Sequence, residues 1–188
     1  EFNMDLITTA PNVRYKVHMV DDTYIDLDNP SDLPETGSIN NIYEPYIRAE
    51  IISPSQYIGS IMNICINRRA EYKSTNFLSK EKVQLIFHMP LGEIIYEFFE
   101  KLKASTKGYA TLDYDIIEDK PGDLRRLDVK IAGEIIDALS IMVHKDNAYK
   151  SGSNLCKKLK KIIPRHQFEV PIQATIGSKI ISRETVKS

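Results

Sequence analysis

The chain has no Trp, only two cysteines and only eight glycines in 188 residues, and no apolar run near the ~20 residues of a membrane helix. Each scarcity removes a class. Cys65 and Cys156 each sit inside an apolar helical pattern. Two such residues cannot staple a secreted scaffold, so they read as buried free thiols of a reducing cytoplasm. The N-terminus lacks the apolar stretch of a signal peptide. With so few glycines, neither Gly-x-x-x-x-Gly-Lys-Ser/Thr nor Gly-x-Gly-x-x-Gly occurs, which excludes a phosphate loop and a dinucleotide fingerprint. The Asp119-Lys120-Pro121-Gly122 stretch, with no phosphate loop before it, reads as a type II turn. His18, His88, His144 and His166 lack metal-ligand spacing, and no nucleophile triad emerges. His18 and His88 read as partly buried structural groups on strands.

Net charge is also scarce, at −1, but the average hides a split. Residues 1–119 hold 11 Lys or Arg against 19 Asp or Glu, whereas residues 120–188 hold 14 against 7. The second part therefore invites an anionic partner.

The pattern along the chain predicts a mixed α+β fold. Val13–Met19 and Thr23–Leu27 suit a hairpin turning at Asp21-Asp22, followed by a Pro- and Ser-rich linker to about residue 43. Over residues 44–119 the order is strand, helix, strand, strand, helix, strand: the split βαβ, ferredoxin-like succession. Tyr46–Ile52 is its first strand, and Ser53-Pro54 begins its first helix. Tyr57, Ile58, Ile61, Met62 and Cys65 form that helix's apolar face. Glu71–Leu78 and Lys82–Met89 are strands. One helix after Pro90 carries Leu91, Ile94, Ile95, Phe98, Phe99 and Leu102, and Gly108–Ile117 closes the unit. Residues 120–188 form a separate, partial α+β unit. In it, Leu127–Ala132 and Glu134–Val143 make a hairpin, Asp146 caps a helix running to about Ile163, Phe168–Ile176 is a strand that Pro171 argues to an edge, and Ile180–Thr185 is another.

The binding candidate is that helix. Its apolar face is Ala148, Leu155, Cys156, Leu159, Ile162 and Ile163. Its opposite face carries Lys150, Lys157, Lys158 and Lys161, with Lys160 beside it. Together with Arg165, Arg125 and Arg126, these cations suit an RNA phosphate backbone, where each neutralised phosphate releases counterions. The same residues also suit a solvated helix face whose cations favour the C-terminal end of the dipole. Asp113 and Asp115, on one face of a strand, are the candidates of a different reading, in which a ferredoxin-like domain binds a small molecule or works by acid/base chemistry. A protein-interaction module using the open sheet face is a third.

Longer stretches carry a resemblance. Asp5–Pro11 (DLITTAP) and Asn29–Pro34 (NPSDLP) resemble the end of the third domain of the LepA-type translational GTPases, the elongation factor 4 family related to elongation factor G. Glu93–Lys103 (EIIYEFFEKLK) and Lys107–Tyr114 (KGYATLDY) resemble the equivalent of the fifth domain of elongation factor G. Leu127–Ser140 (LDVKIAGEIIDALS) and Ile163–Lys187 (IPRHQFEVPIQATIGSKIISRETVK) resemble the start of the domain peculiar to the family. The resemblance implies a fragment of a larger ribosome-binding GTPase. Residues 1–43 are then a third-domain stub and linker, 44–119 the fifth-domain equivalent and 120–188 a truncated special domain. It implies no catalysis and no cofactor in this stretch, GTP and Mg belonging to a G domain outside it. Its partners are then the ribosome, at rRNA near the large-subunit stalk base, and the acceptor arm of tRNA, with no DNA. The implied role is back-translocation, ribosome assembly or initiation. The implied location is the cytoplasm, with the parent peripheral on the inner face of the cell membrane and no integral membrane segment. Ala70 in Arg69-Ala70-Glu71 and His166 depart from the family's Gly and Gln.

Overall fold

The computed structural model describes residues 13–95 and 97–188, so the Asp5–Pro11 stretch lies outside the described residues. The fold is α+β, built on antiparallel sheets, and divides into two units.

The first unit is Val13–Tyr15 with Tyr43–Pro121. Its strands are β3 (Ile39–Pro54, entering the unit at Tyr43), β4 (Glu71–Phe77), β5 (Lys82–Pro90) and β6 (Thr111–Gly122, leaving it after Pro121). Their lateral order is β4-β5-β3-β6, and β3 pairs antiparallel to β5 from Tyr46↔Pro90 to Pro54↔Lys82. Alternation decides the faces. Ile47, Ala49 and Ile51 of β3 and Val83, Leu85, Phe87 and Met89 of β5 are fully buried on one side. Against them pack Ile61 and Cys65 of helix α1 (Ile58–Ile66) and Phe98 and Leu102 of helix α2 (Phe98–Ser105).

Two local expectations fail here for identifiable reasons. Ser53 does not cap α1. It is still in β3, its hydroxyl donates to the Pro54 carbonyl at 3.0 Å, and the helix is entered through a 3₁₀ turn at Ser55–Tyr57. The helix expected over Leu91–Leu102 is interrupted. A single turn spans Gly92–Ile95, Glu97 adopts φ +62°, and α2 begins at Phe98, leaving Phe99 exposed beneath Lys103. The expected turn at Asp119–Gly122 is instead the end of β6.

The second unit is Lys16–Ile42 with Gly122–Ser188. Strands β1 (Tyr15–Met19, in this unit from Lys16) and β2 (Tyr24–Leu27) form the expected hairpin, closed where the Thr23 amide donates to Asp21 Oδ1 at 3.0 Å and Asp22 sits at φ +66°. The larger sheet runs β11 (Lys179–Val186), β10 (Val170–Ile176), β7 (Leu124–Ile131), β8 (Glu134–Ile135), with β9 (Ile141–His144) also on β7. The single strand expected over Glu134–Val143 is broken: a 3₁₀ turn at Asp137–Leu139 separates β8 from β9. Nor is β10 an edge, since β7 and β11 flank it. Pro171 is tolerated because it stands at the end of that ladder, opposite Ala132 just past β7: its carbonyl accepts the Ala132 amide at 3.0 Å, and only the return bond is forgone. Helix α3 (Ala148–Ile162) covers one face of this sheet, over a core of Leu127, Val129, Ile172, Ala174, Cys156 and Leu159.

Candidate nucleic-acid interface

Helix α3 is held at its start by a histidine, not by the expected aspartate. His144 Nδ1 accepts the Asp146 amide at 3.2 Å, at the head of a 3₁₀ turn (Lys145–Asn147) that leads into Ala148. Asp146 itself is exposed and its carboxylate lies 3.7 Å from the imidazole. The buried stripe is Ala148, Gly152, Cys156 and Leu159, spaced to stay on one side of a 3.6-residue helix. Gly152 sets the helix–sheet distance: a Cβ there would lie 3.1 Å from Ala174 Cβ and 3.2 Å from Ile181 Cδ1. Burial pushes the Cys156 thiol above its ordinary pKa, with a hydrogen bond from Ser182 opposing.

With that stripe inward, geometry dictates what faces out. At 100° per residue, positions 150, 157 and 161 lie within about 40° of one another on the opposite side. Lys150, Lys157 and Lys161 are all exposed. None has an ion-pair partner within 4.0 Å among the described residues, and the same holds for exposed Arg165, just past the helix.

The other named cations differ. Lys160 Nζ lies 3.2 Å from Glu184 on β11, and Lys158 is half-buried on the flank. Arg126 lies 3.1 Å from the buried Asp128, which also accepts the Ser140 hydroxyl at 2.7 Å. Arg125 pairs with Asp123. The structure thus separates a free stripe from three cations that already have acidic partners.

Beyond the end of α3, a shallow depression of about 370 Å³ is lined by Lys160, Lys161, Ile163, Pro164, Arg165, Val186 and Lys187. Lys187 was not a candidate. It lies 22 residues from Arg165, and only the β10–β11 hairpin brings it back to this site; Glu169 sits 3.5 Å from its ammonium. No signal short of that pairing marks it in the sequence.

The first unit holds an ionic cluster that the pattern also did not disclose. Arg69, in a left-handed conformation (φ +58°), makes a bidentate pair to Glu44 at 2.9 and 2.9 Å and reaches Glu93 Oε2 at 3.4 Å. Glu44 is 2% exposed. Burial pushes the Glu93 carboxyl upward, against the pull of Arg69 and Arg68. Arg68 donates to the Glu93 carbonyl at 2.8 Å, so the end of α1 is clamped to the turn at Gly92–Ile95. Ala70 is half-buried against the core and its amide donates to the Cys65 carbonyl at 3.1 Å. His166 is exposed. Asp113 and Asp115 are both exposed on β6, where no shielding favours acid/base work. No helix of the described residues is long and apolar enough to cross a membrane.

Comparison with known proteins follows the two-part organisation. Residues 41–129 match the family model for the elongation factor G C-terminus, and residues 131–188 match that for the GTP-binding protein LepA C-terminus. Elongation factor 4 of Geobacillus thermodenitrificans and that of Bacillus subtilis are each 48% identical over all 188 residues, and that of Mycobacterium tuberculosis is 51% identical. The chain spans 31%, 31% and 29% of those relatives, under a third of their length. Identity at this level along the whole chain, through both matched regions, places it in the elongation factor 4 (LepA) family.

Proposed function

We propose that this chain is a ribosome-binding portion of a translational GTPase and that α3 meets RNA through the stripe Lys150, Lys157 and Lys161, continued by Arg165. The single observation that carries this reading is that these four cations are exposed and without acidic partners among the described residues, while Lys160, Arg125 and Arg126 are neutralised locally. Along the helix, Lys150 and Lys157 stand about 10 Å apart, and Lys157 and Lys161 about 6 Å, spacings that suit successive phosphates of one strand. The depression beside Lys161, Arg165 and Lys187 extends the basic surface past the helix end.

In this reading residues 44–119 are the equivalent of the fifth domain of elongation factor G, with the strand order β4-β5-β3-β6 supporting a split βαβ unit. Residues 120–188 are the first part of the LepA-type domain and carry the contact, at the acceptor arm of tRNA or nearby rRNA. Nucleotide hydrolysis belongs to other parts of such a factor, and the chain contributes binding and positioning.

Ribosome co-sedimentation tests it. Lys150→Glu, Lys157→Glu and Lys161→Glu together should reduce the bound fraction at least tenfold at low salt, whereas Arg125→Glu should change it little. An unchanged bound fraction in the triple variant removes α3 from the contact.

A further inference from the structure

The long strand β6 has one partner, β3, and no strand lies beyond its other edge among the described residues. Every residue from Asp113 to Asp119 is exposed. Three of them are large and apolar: Tyr114 at 40%, Ile116 at 65% and Ile117 at 39% exposure. The other four are Asp113, Asp115, Glu118 and Asp119, with no basic residue among them. Apart from the Tyr114 amide, which donates to Asp113 Oδ1 at 2.9 Å, the backbone groups of an edge with no neighbouring strand, beside exposed isoleucines, make a template for another strand, and long edges of this kind are ordinarily shortened, bulged or covered.

We propose that the free edge of β6 over Asp113–Asp119 receives an extended basic segment of a partner protein, added to the sheet as a further strand. Backbone hydrogen bonds would supply the affinity, and alternate side chains the selectivity. Charge decides the occupant. Self-pairing of two copies, antiparallel and centred on Ile116, sets Asp113 against Asp119. Centred between Ile116 and Ile117, it sets Asp115 against Glu118. Like charges directly opposite disfavour the first register, and in the second the Asp113–Lys120 pairs only offset the Asp115–Glu118 repulsion, so charge favours neither. The same acids repel a nucleic acid backbone. They favour Lys or Arg at alternate positions of an incoming strand, on the face of Asp113, Asp115 and Asp119, with β-branched residues between to lie over Tyr114 and Ile116 on the other face. This surface is separate from the α3 stripe and does not depend on that helix binding RNA.

The test uses the 188-residue chain and a labelled peptide alternating Lys or Arg with Val, compared with the same peptide N-methylated at alternate residues. The expected result is saturable binding of the first peptide, with amide exchange slowed at residues 113–119. Affinity should fall at least tenfold on N-methylation, and roughly tenfold when Asp113, Asp115 and Asp119 become Asn. Equal binding of the N-methylated peptide overturns the proposal, because charge alone would then explain the contact. So does protection that falls elsewhere, a dimer of the chain that protects β6 without peptide, or slowing at β6 by an RNA oligomer.

Discussion

Replacing Arg69 by Met should destabilise the first unit by about 3–5 kcal/mol, the cost of breaking a buried ion pair by removing one partner. The magnitude follows from the geometry. Both Glu44 oxygens receive 2.9 Å bonds from the guanidinium, and Glu44 is almost wholly out of water. The substitution keeps the volume of the stem and leaves the left-handed backbone strain unchanged, since Met is also an L residue with a Cβ. With a urea m-value of about 2 kcal/mol/M, the unfolding midpoint should fall by about 1.5–2.5 M at pH 7. Adding Glu44→Leu should recover much of the loss at pH 7. A deficit under 1 kcal/mol, or a double variant no more stable than Arg69→Met alone, would refute the reasoning.

Cys65 should be inert in the folded protein. Burial pushes its thiol up to about 12, against a small opposing effect of Arg68, so a disulfide reagent at pH 8 should label it only on unfolding, and rapid native labelling would contradict the core assignment. Gly152→Val should destabilise the second unit by about 1–3 kcal/mol in thermal or urea unfolding, because the added methyls meet Ala174 and Ile181 where even a Cβ is tight; a neutral result would mean that α3 rides further from the sheet. His88 is held below its ordinary value by burial first, then by the nearby Lys73 and Lys120 cations. A histidine with a depressed folded pKa contributes stability above its unfolded pKa of about 6.5 and loses it as pH falls through the folded value. His88→Gln should therefore flatten the decline in stability below pH 6.5, and an unchanged slope would show that other groups carry it.

The elements that rest on local periodicity were readable in advance. Ile61 and Cys65 on α1, the alternation along β5, and the Asp21-Asp22 hairpin all follow from spacing and turn chemistry alone. What failed depends on the rest of the fold. Pro171 argues for an edge only if its missing amide breaks a ladder, and here it costs a single bond at the ladder's end, opposite Ala132. Glu97 interrupts a sound apolar helical pattern by turning left-handed, which the spacing of Ile94, Phe98 and Leu102 cannot disclose. His144 displaced Asp146 as the cap because the 3₁₀ turn begins at Lys145, one residue before Asp146, so that the cap position falls on His144. At the site, the outward lysines were legible because a helix's faces follow from its buried stripe. Which of them are free was not, because Glu184 reaches Lys160 from a strand 24 residues away. The Arg69–Glu44–Glu93 cluster was equally hidden, since its members come from three segments brought together by tertiary packing.

The most direct measurement is the salt dependence of RNA binding by the chain and by its Lys150→Gln, Lys157→Gln, Lys161→Gln variant. If the α3 stripe seats three phosphates, the slope of log affinity against log salt should become shallower in the variant by about 2–3, close to 0.7–0.9 for each lost contact. Equal slopes for the two proteins, with any difference confined to a uniform offset, would contradict the claim that these lysines meet the RNA backbone.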